Sequence, residues 1–460
     1  MKPLSPMDQM FLWLERRNQP MHVGGLQLIT PPQSAPADFV QRIAERIRTS
    51  SSEVVPPFNQ RPVQRFGAWF WADDDDFDLE AHVRVLALPR PGRIRELLAL
   101  VSQLHSNHLD RARPLWEYYI IDGVGIDGVE GGRIAVYTKI HHAMVDGMAA
   151  MRMLMKSMSE DPAARKLPAI WAKPLQSSAG VRDGASAPRQ GPIAALAQAA
   201  RAQIGGLPFV ARELYGKLRQ SRAQDGLASG LLAPRSILNQ RVTASRRFAA
   251  QSYSLERIRA AGKAHDATVN DVVLAMCGSA LRRYLQELDA LPKRSLVAMV
   301  PVSMRRDDTA TGNQVAMLLA RLGTDLAVPR ERIAAIKQSV QESKDRYAQM
   351  TPEQVLAYGG LLAAPSNISV ATGLAPRFQA YNVTISNVPG PKKPLYWNGA
   401  RLDGTYPVSI VADGQALNIT VNSYVDKMEF GITACRRALP HIQRLLDYLE
   451  QGLSELQSAA

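Results

Sequence analysis

Between Arg133 and Met158 the chain commits to a strand, a tight turn and a helix, and this succession limits the available folds more than any other segment. Ile134, Val136 and Ile140 fall on one face of Arg133 to His141, with Ala135, Tyr137 and Lys139 on the other, which is the period of a β-strand. A helix is expected from Asp146. Behind it Met148, Met151, Met155 and Met158 recur at helical spacing, so that face is expected to pack on a core. The junction reads Lys139-Ile140-His141-His142-Ala143-Met144-Val145-Asp146-Gly147, an imidazole at a strand end with a carboxylate four residues later. Adjacent strand residues point to opposite sides, so His141 and His142 should not share one metal ion. One is expected to face a cavity and the other the interior, an arrangement that suits a general base. The same residues also have a plainer reading, because Asp146 is a good N-cap, Gly147 can relax a tight turn and a lone histidine is usually structural.

At 460 residues the chain is too long for one ordinary core, and two domains of about 200 residues with a connector are expected. Hydrophobic residues make up 46%, enough for a sizeable core. Cys277 and Cys435 provide neither a disulfide framework nor a spaced zinc cluster, and both are expected to pack in apolar surroundings. The opening Met1-Lys2-Pro3-Leu4-Ser5-Pro6 does not read as a signal peptide, and no stretch approaches about 18 uninterrupted apolar residues. A soluble or peripheral, cytoplasmic protein is therefore expected. Ser5 and Asp8 form a capping box for a first helix containing Phe11 and Leu14, and Pro20 to Gly25 runs into a strand.

The net charge is +13, and most of it is local. Between Asp161 and Ala250 there are 14 Lys and Arg against 4 Asp and Glu, an excess of +10. A Pro, Ser and Gly cluster from Pro168 to Pro192 marks a connector. The expected division is a first domain over 1–165, a basic connector over 166–240 and a second domain over 241–460. Within the connector Leu207, Val210, Leu214 and Leu218 repeat at helical spacing beside Arg212, Lys217, Arg219 and Arg222. Such a helix either lies on an anionic membrane surface or packs on its own protein with a solvated basic face. Nucleic acid is disfavoured by the few aromatics and the lack of a binding motif.

Several motifs are set aside. Gly123-Val124-Gly125-Ile126-Asp127-Gly128 fits GxGxxG but leads into a strand, so no helix N-terminus is available for a pyrophosphate. It reads as a glycine-rich link between strands. His105 and His108 lack companion ligands at metal spacing, and neither a GxSxG elbow nor a GxxxxGK loop is present. In the second half, Thr268 and Asp271 form a capping box for a buried helix, which leaves Asn270 unexplained. Its amide, in the first turn beside free N–H groups, either stabilises developing negative charge or is an ordinary polar residue near a helix start.

His142 within HHxxxDG, Pro114-Leu115-Trp116, Asn270 to Ala275, Pro301-Val302-Ser303-Met304-Arg305 and Ser386-Asn387-Val388-Pro389-Gly390-Pro391 occur together. With Ser5 to Asp8, Pro20 to Gly25 and Leu417 to Thr420, they span nearly the whole chain. Together they resemble the bacterial wax ester synthase/diacylglycerol acyltransferase family, within the CoA-dependent acyltransferases. HHxxxDG alone is shared more widely; the combination is far more specific. One departure is Cys435-Arg436, where many members carry Asp-Arg.

The resemblance implies an α/β fold of two chloramphenicol-acetyltransferase-like domains. Each is a mixed sheet flanked by helices, with the active-site tunnel between them and a segment of the second half crossing to the first. Strands at Leu296 to Val302, Tyr381 to Ile385 and Leu417 to Ser423, with helices at Arg332 to Tyr347 and His441 to Leu456, agree in outline. Asn382, Thr384 and Ser386 alternate with Tyr381, Val383 and Ile385, giving a polar strand face suited to the interface.

The implied activity is transfer of a long-chain acyl group from acyl-CoA, a substrate and not a cofactor, to a fatty alcohol or diacylglycerol. The products are storage wax esters or triacylglycerol. A hydroxyl attacking a thioester needs a base, assigned by the resemblance to His142 and worth roughly a hundred- to ten-thousand-fold. Asn270 is the candidate oxyanion donor, worth roughly 2.7 to 4 kcal/mol. Asp146 is expected to hold the loop, with Arg305 as candidate partner, while His141 packs inside and Gly147 allows close approach at the turn. No metal or further cofactor is implied. The partners implied are acyl-CoA, the acceptor lipid and an inner membrane face or lipid-inclusion surface. Two other readings stay open: a non-catalytic coat protein of lipid inclusions, and an acyltransferase acting on another alcohol or an amine. If Asp146 has the structural role, Asp146→Asn lowers soluble yield along with activity; a stably folded, inactive variant would show instead that it acts on His142 directly.

Overall fold

A computed structural model describes residues 1–49, 54–126, 129–145, 147–172, 233–303, 315–351, 354–355, 357–362 and 379–459. Asp146, Arg305 and the amphipathic connector helix around 207–222 lie outside the described residues.

The strand read from its alternation is β7 (Val129–His141), and it sits inside the first of two six-stranded sheets. β7 pairs antiparallel with β2 (His22–Thr30) on one side and with β6 (Trp116–Ile126) on the other, while β5 (Val83–Ala87) lies parallel to β6. The alternation is physical: Ile134, Val136 and Ile140 enter one apolar cluster, and Ala135 and Tyr137 enter another on the opposite face. Gly123 to Ile126 of the glycine-rich segment form the end of β6, and β7 begins at Val129. Beside this sheet, β1 (Lys2–Pro3), β4 (Ala68–Asp73) and β3 (Gln60–Arg65) form a small antiparallel sheet. The helices are α1 (Pro6–Leu14), α2 (Phe39–Thr49), α3 (Ile94–Ser106) and α4 (Gly147–Lys156). Ser5 caps α1 by accepting the Asp8 N–H at 3.1 Å.

The second sheet runs β10 (Val315–Arg321), β9 (Val297–Ser303), β11 (Val383–Val388), β14 (Leu417–Tyr424), β15 (Lys427–Cys435) and β8 (Arg246–Ser254). β11 is parallel to both neighbours and the other pairs are antiparallel, so the sheet is mixed. Leu417, Ile419 and Val421 join the core that β14 shares with α5 (Leu255–Ala264), α6 (Val269–Glu287), α7 (Pro329–Ala348) and α8 (Arg444–Ser458). Thr268 and Asp271 form the expected capping box, and the middle of α6 is buried all round. Asn418, Thr420 and Asn422 occupy the opposite strand face, which looks toward the first half.

The two sheets share one strand-bearing segment. After leaving the second sheet, the chain forms β12 (Tyr396–Trp397) and β13 (Ala400–Val408), and β13 pairs antiparallel with β2 from Arg401↔Thr30 to Val408↔Gly24. The first sheet is therefore completed by residues some 375 positions away along the chain. A second link forms where β8 meets α3: Ser106 Oγ and Ser102 Oγ accept the Arg246 and Phe248 N–H groups at 2.8 and 2.9 Å. Those hydroxyls satisfy backbone donors on an edge strand, which would otherwise be unpaired.

Three expectations need adjusting. Met148 and Met155 of α4 are exposed, and the inward side is carried by Ala150, Met153 and Leu154. Met158 is buried in the same cluster and Met151 lines the cavity between the halves, so the expected face is only partly turned inward. Asn382 is fully buried, but it ties down the connector's far end, donating to Pro234 O and Asn239 Oδ1 at 2.7 Å each. Cys277 packs in the apolar core, whereas Cys435 accepts the Thr243 N–H at 3.3 Å and so has polar company.

Among the described residues no helix is long and apolar enough to cross a membrane. A Cβ on Gly431 of β15 would overlap Pro407 O of β13, so that glycine sets how closely the crossing strand can lie. Gly431→Ala is expected to cost about 1–3 kcal/mol in urea unfolding. Gly147→Ala, with nothing within 4 Å of the added carbon, should stay within ~0.5 kcal/mol.

Candidate active site

The end of β7 is fixed by three neighbours. His141 pairs with His22 across β2, its N–H donates to Leu115 O at 2.9 Å, and the His142 N–H donates to Met21 O at 2.9 Å. The Pro114-Leu115-Trp116 motif thus underpins the histidines through backbone bonding, and buried Trp116 anchors it by donating to Phe58 O at 2.8 Å.

The two histidines have different surroundings. His141 is fully buried, its Nδ1 accepts the Ala143 N–H at 3.1 Å, and its Nε2 lies 3.8 Å from Glu15 Oε1. Burial is the main reason its pKa falls to about 4. It is therefore neutral at pH 7, and its contact with Glu15 is not an ion pair there. His142 is half-buried, with its ring stacked on Phe11 of α1 at 4.1 Å between centroids.

Glu15, just beyond α1, was not singled out from the sequence. Its Oε2 accepts from Arg111 Nη2 and Nε at 2.8 and 3.0 Å, and its Oε1 accepts the Met21 N–H at 3.2 Å with His108 Nδ1 at 3.4 Å. Burial alone would raise this carboxyl, but His108, Arg111 and the Met21 N–H outweigh it and bring the group to about 2. His141 would add to that only when charged. The same hydrogen bond raises His108 above its usual value. His105 is buried against Tyr137 and held down near 3 by burial, so His105 and His108 serve different neighbourhoods. Among the described residues no group of three or more His, Cys, Asp and Glu gathers as a metal site.

A cavity of about 120 Å³ lies between the halves. Val23, Ile140, Met151, Met153, Leu154 and Ile170 give it an apolar wall. Ile140 and Gly147, on either side of the His142 turn, both line it. β7 ends at His141, so His142 lies in the turn beyond the strand, next to these lining residues along the chain but not itself among those that line the cavity. The other half contributes Val388 of the Ser386 to Pro391 motif, Thr405, Pro407 and Ser409 of the crossing segment, and Thr420 and Asn422 of β14.

The remaining candidates fall as follows. Gly147 is exposed at the start of α4, and a Cβ there would meet nothing within 4 Å, so it leaves open space instead of permitting a close backbone approach. Asp146 and Arg305, the expected loop pair, lie outside the described residues. Asn270 is half-exposed in the first turn of α6, beside the Thr268 and Asp271 cap, within the helical layer of the second half. Among the described residues no hydrogen bond joins it to His142, and it does not line the cavity. Hydroxyl donors do reach the cavity. Ser409 Oγ and Thr420 Oγ1 lie 2.7 Å apart, on residues that flank the Val23 and Ile140 end. Thr420 closes the Leu417 to Thr420 segment that carried the resemblance, but neither hydroxyl was singled out, because their meeting joins two segments and leaves no local signal.

The wax ester synthase/diacylglycerol acyltransferase catalytic domain model matches residues 4–273, and the WS/DGAT C-terminal domain model matches 311–457. The O-acyltransferase WSD of Acinetobacter baylyi is 48% identical over 455 residues, covering 98% of this chain and 96% of that one. A putative diacylglycerol O-acyltransferase of Mycobacterium tuberculosis is 43% identical, covering 99% of each. The solved wax ester synthase/diacylglycerol acyltransferase from Marinobacter aquaeolei VT8 superimposes with a TM-score of 0.80 at 48% identity, over 100% of this chain and 99% of that one. Trichothecene 15-O-acetyltransferase from Fusarium sporotrichioides, at 11% identity and a TM-score of 0.61, shares the two-domain fold over 99% of this chain and 94% of its own. The chain belongs to the wax ester synthase/diacylglycerol acyltransferase family of O-acyltransferases.

Proposed function

We propose that the protein transfers a long-chain acyl group from acyl-CoA to the hydroxyl of a fatty alcohol or diacylglycerol, making wax ester or triacylglycerol, with His142 as general base. The observation that carries this reading is an apolar cavity walled by both halves, with Ile140 and Gly147, on either side of the turn that carries His142, among its lining residues. An apolar cavity suits acyl and alkyl chains, and the imidazole meets them where chemistry is needed.

In the reaction the acceptor hydroxyl attacks the thioester carbonyl carbon as His142 takes its proton. A tetrahedral intermediate forms, with negative charge on the former carbonyl oxygen. Collapse breaks the carbon–sulfur bond, the thiolate leaves, and His142 returns the proton to sulfur. Stacking on Phe11 fixes the ring plane during both transfers. For the oxyanion, the Ser409 and Thr420 hydroxyls, which line the cavity, are candidate donors beside Asn270. Asp146 keeps its proposed role in holding the loop. CoA enters and leaves as substrate and product, and no cofactor takes part in these steps. Association with a membrane face or lipid inclusion belongs to the same proposal, since the lipids concerned partition there.

Purified protein with palmitoyl-CoA and hexadecanol, or with diacylglycerol, is expected to release free thiol. His142→Ala should lower that rate by roughly a hundred- to ten-thousand-fold with unchanged thermal unfolding. Thiol release at the wild-type rate would remove His142 from the mechanism, and inclusion binding without any turnover would mark a coat protein. Glu15 is expected to support the site through stability. Its folded pKa of about 2 lies below the ordinary 4.5, so its contribution is complete above pH 4.5 and is lost as pH falls through about 2. Glu15→Gln should therefore be less stable than wild type by on the order of 3 kcal/mol at pH 7, with the gap closing toward pH 2. A gap independent of pH in urea unfolding would contradict this.

A further inference from the structure

The end of the cavity away from His142 is polar. Gln27 of β2, Thr405 of β13 and Asn422 of β14 line it, and Glu429 of β15 stands directly behind. Glu429 Oε2 accepts the Thr405 N–H at 2.7 Å and Asn422 Nδ2 at 3.3 Å. Gln27 Nε2 reaches Thr405 Oγ1 at 3.4 Å. Gln27 is 3% exposed and Asn422 and Glu429 are 0% exposed, yet Gln27 Oε1, Asn422 Oδ1 and Glu429 Oε1 have no hydrogen-bond partner among the described residues. Three orphaned oxygens from three strands, meeting at one end of an apolar cavity, are costly unless something binds them.

Glycines make room for these side chains. A Cβ on Gly25 would come within 2.8 Å of Gln27 Nε2, and one on Gly404 within 2.9 Å of Glu429 Oε1. Neither glycine has the left-handed φ that would explain it by backbone conformation, so room for a neighbour is the remaining reason.

We propose that Gln27, Asn422 and Glu429 form a hydrogen-bonding subsite for an amide of the pantetheine arm of acyl-CoA. The inference rests on the acyl-CoA reading above. The ligand must offer donors as well as acceptors, because the bonds of Nε2 to Thr405 and of Nδ2 to Glu429 turn the Gln27 and Asn422 oxygens to the site as acceptors, while a protonated Glu429 presents a donor. A fatty alcohol has one hydroxyl, already engaged at His142, and hydrocarbon chains offer nothing. Diacylglycerol, once its hydroxyl is at His142, has only ester oxygens, which accept. A secondary amide carries both an N–H and a C=O. Burial pushes the Glu429 carboxyl up to about 8, against the pull of the Thr405 and Asn422 donors, so at neutral pH it is mostly protonated and can donate to an amide carbonyl. From Val23 to Gln27 the cavity follows β2 for four residues, roughly 13 Å, room for an extended arm with its thioester toward His142. Lys427, two residues from Glu429 on the same face of β15, is exposed and suited to the phosphates beyond that arm.

The test compares palmitoyl-CoA with the palmitoyl thioester of ethanethiol, which has no amide, using hexadecanol and thiol release. Glu429→Leu and Gln27→Met are expected to raise KM for palmitoyl-CoA roughly three- to tenfold relative to the amide-free donor, with kcat changing less. Glu429→Gln, which keeps a neutral donor, should recover most of the difference. If Glu429→Leu does not fold, Gln27→Met carries the comparison. Equal increases with both donors would overturn the subsite in favour of a packing role, and no increase with either would leave an ordered water only. If wild-type protein transfers from neither donor, the acyl-transfer reading fails and the subsite with it; transfer without a donor-dependent KM difference overturns the subsite alone.

Discussion

The pairing of β13 with β2 is the constraint on which the rest of the structure depends. A strand can complete a sheet only by matching its partner's backbone register, so residues 401–408 fix where the second half sits against the first to within a hydrogen-bond length. The cavity follows from that. Its wall on one side is β2, β7 and α4; on the other it is the crossing segment itself and the polar face of β14. A shift of β13 by one residue would turn Thr405 away and bring Tyr406 in. The site thus belongs to the junction and to neither half alone, which suits a reaction in which two lipid chains meet around one imidazole.

Electrostatics then separate groups that look alike in the sequence. His141 and His142 are adjacent, but His141 is fully buried at the strand end, whereas His142, in the turn beyond it, is half-buried and stacked on Phe11. Burial keeps His141 neutral, and Glu15 remains ionised through Arg111, His108 and a backbone N–H. Glu429 shows the opposite balance. Burial outweighs one amide and one backbone N–H, with no partnering guanidinium among the described residues, and its carboxyl stays protonated to about pH 8. Two buried glutamates therefore carry different charges at neutral pH because of what stands beside them.

Much of the fold was legible because its signals are local. The alternation of β7, the caps at Ser5 and Thr268 and the periodicity of α7 and α8 each depend on neighbours within a turn or two. The crossing of β13 was expected only from the family resemblance, since pairing across nearly the length of the chain leaves no local trace. The methionines of α4 show a different limit: spacing identifies a helix, but the partner decides which face turns inward. Asn270 was selected for its place in a helix start, and the caps and burial around it fix that helix without showing what its amide meets. Glu429 did carry a readable signal, a charged residue alternating with Met428, Phe430 and Ile432 in an apolar strand. Its partners Gln27 and Asn422 come from strands nearly 400 residues apart, and that convergence could not be read.

The most direct test of the central claim, that acyl transfer takes place at His142 in the cavity between the halves, is a crystal structure with a non-hydrolysable palmitoyl-CoA analogue. The carbon replacing the thioester carbonyl is expected near the His142 ring, with room between them for an acceptor hydroxyl at about 3 Å from the imidazole, and with an alkyl chain against the apolar wall formed by Val23, Ile140 and Leu154. An analogue bound with its reactive carbon outside that cavity, beyond reach of His142, would contradict the account.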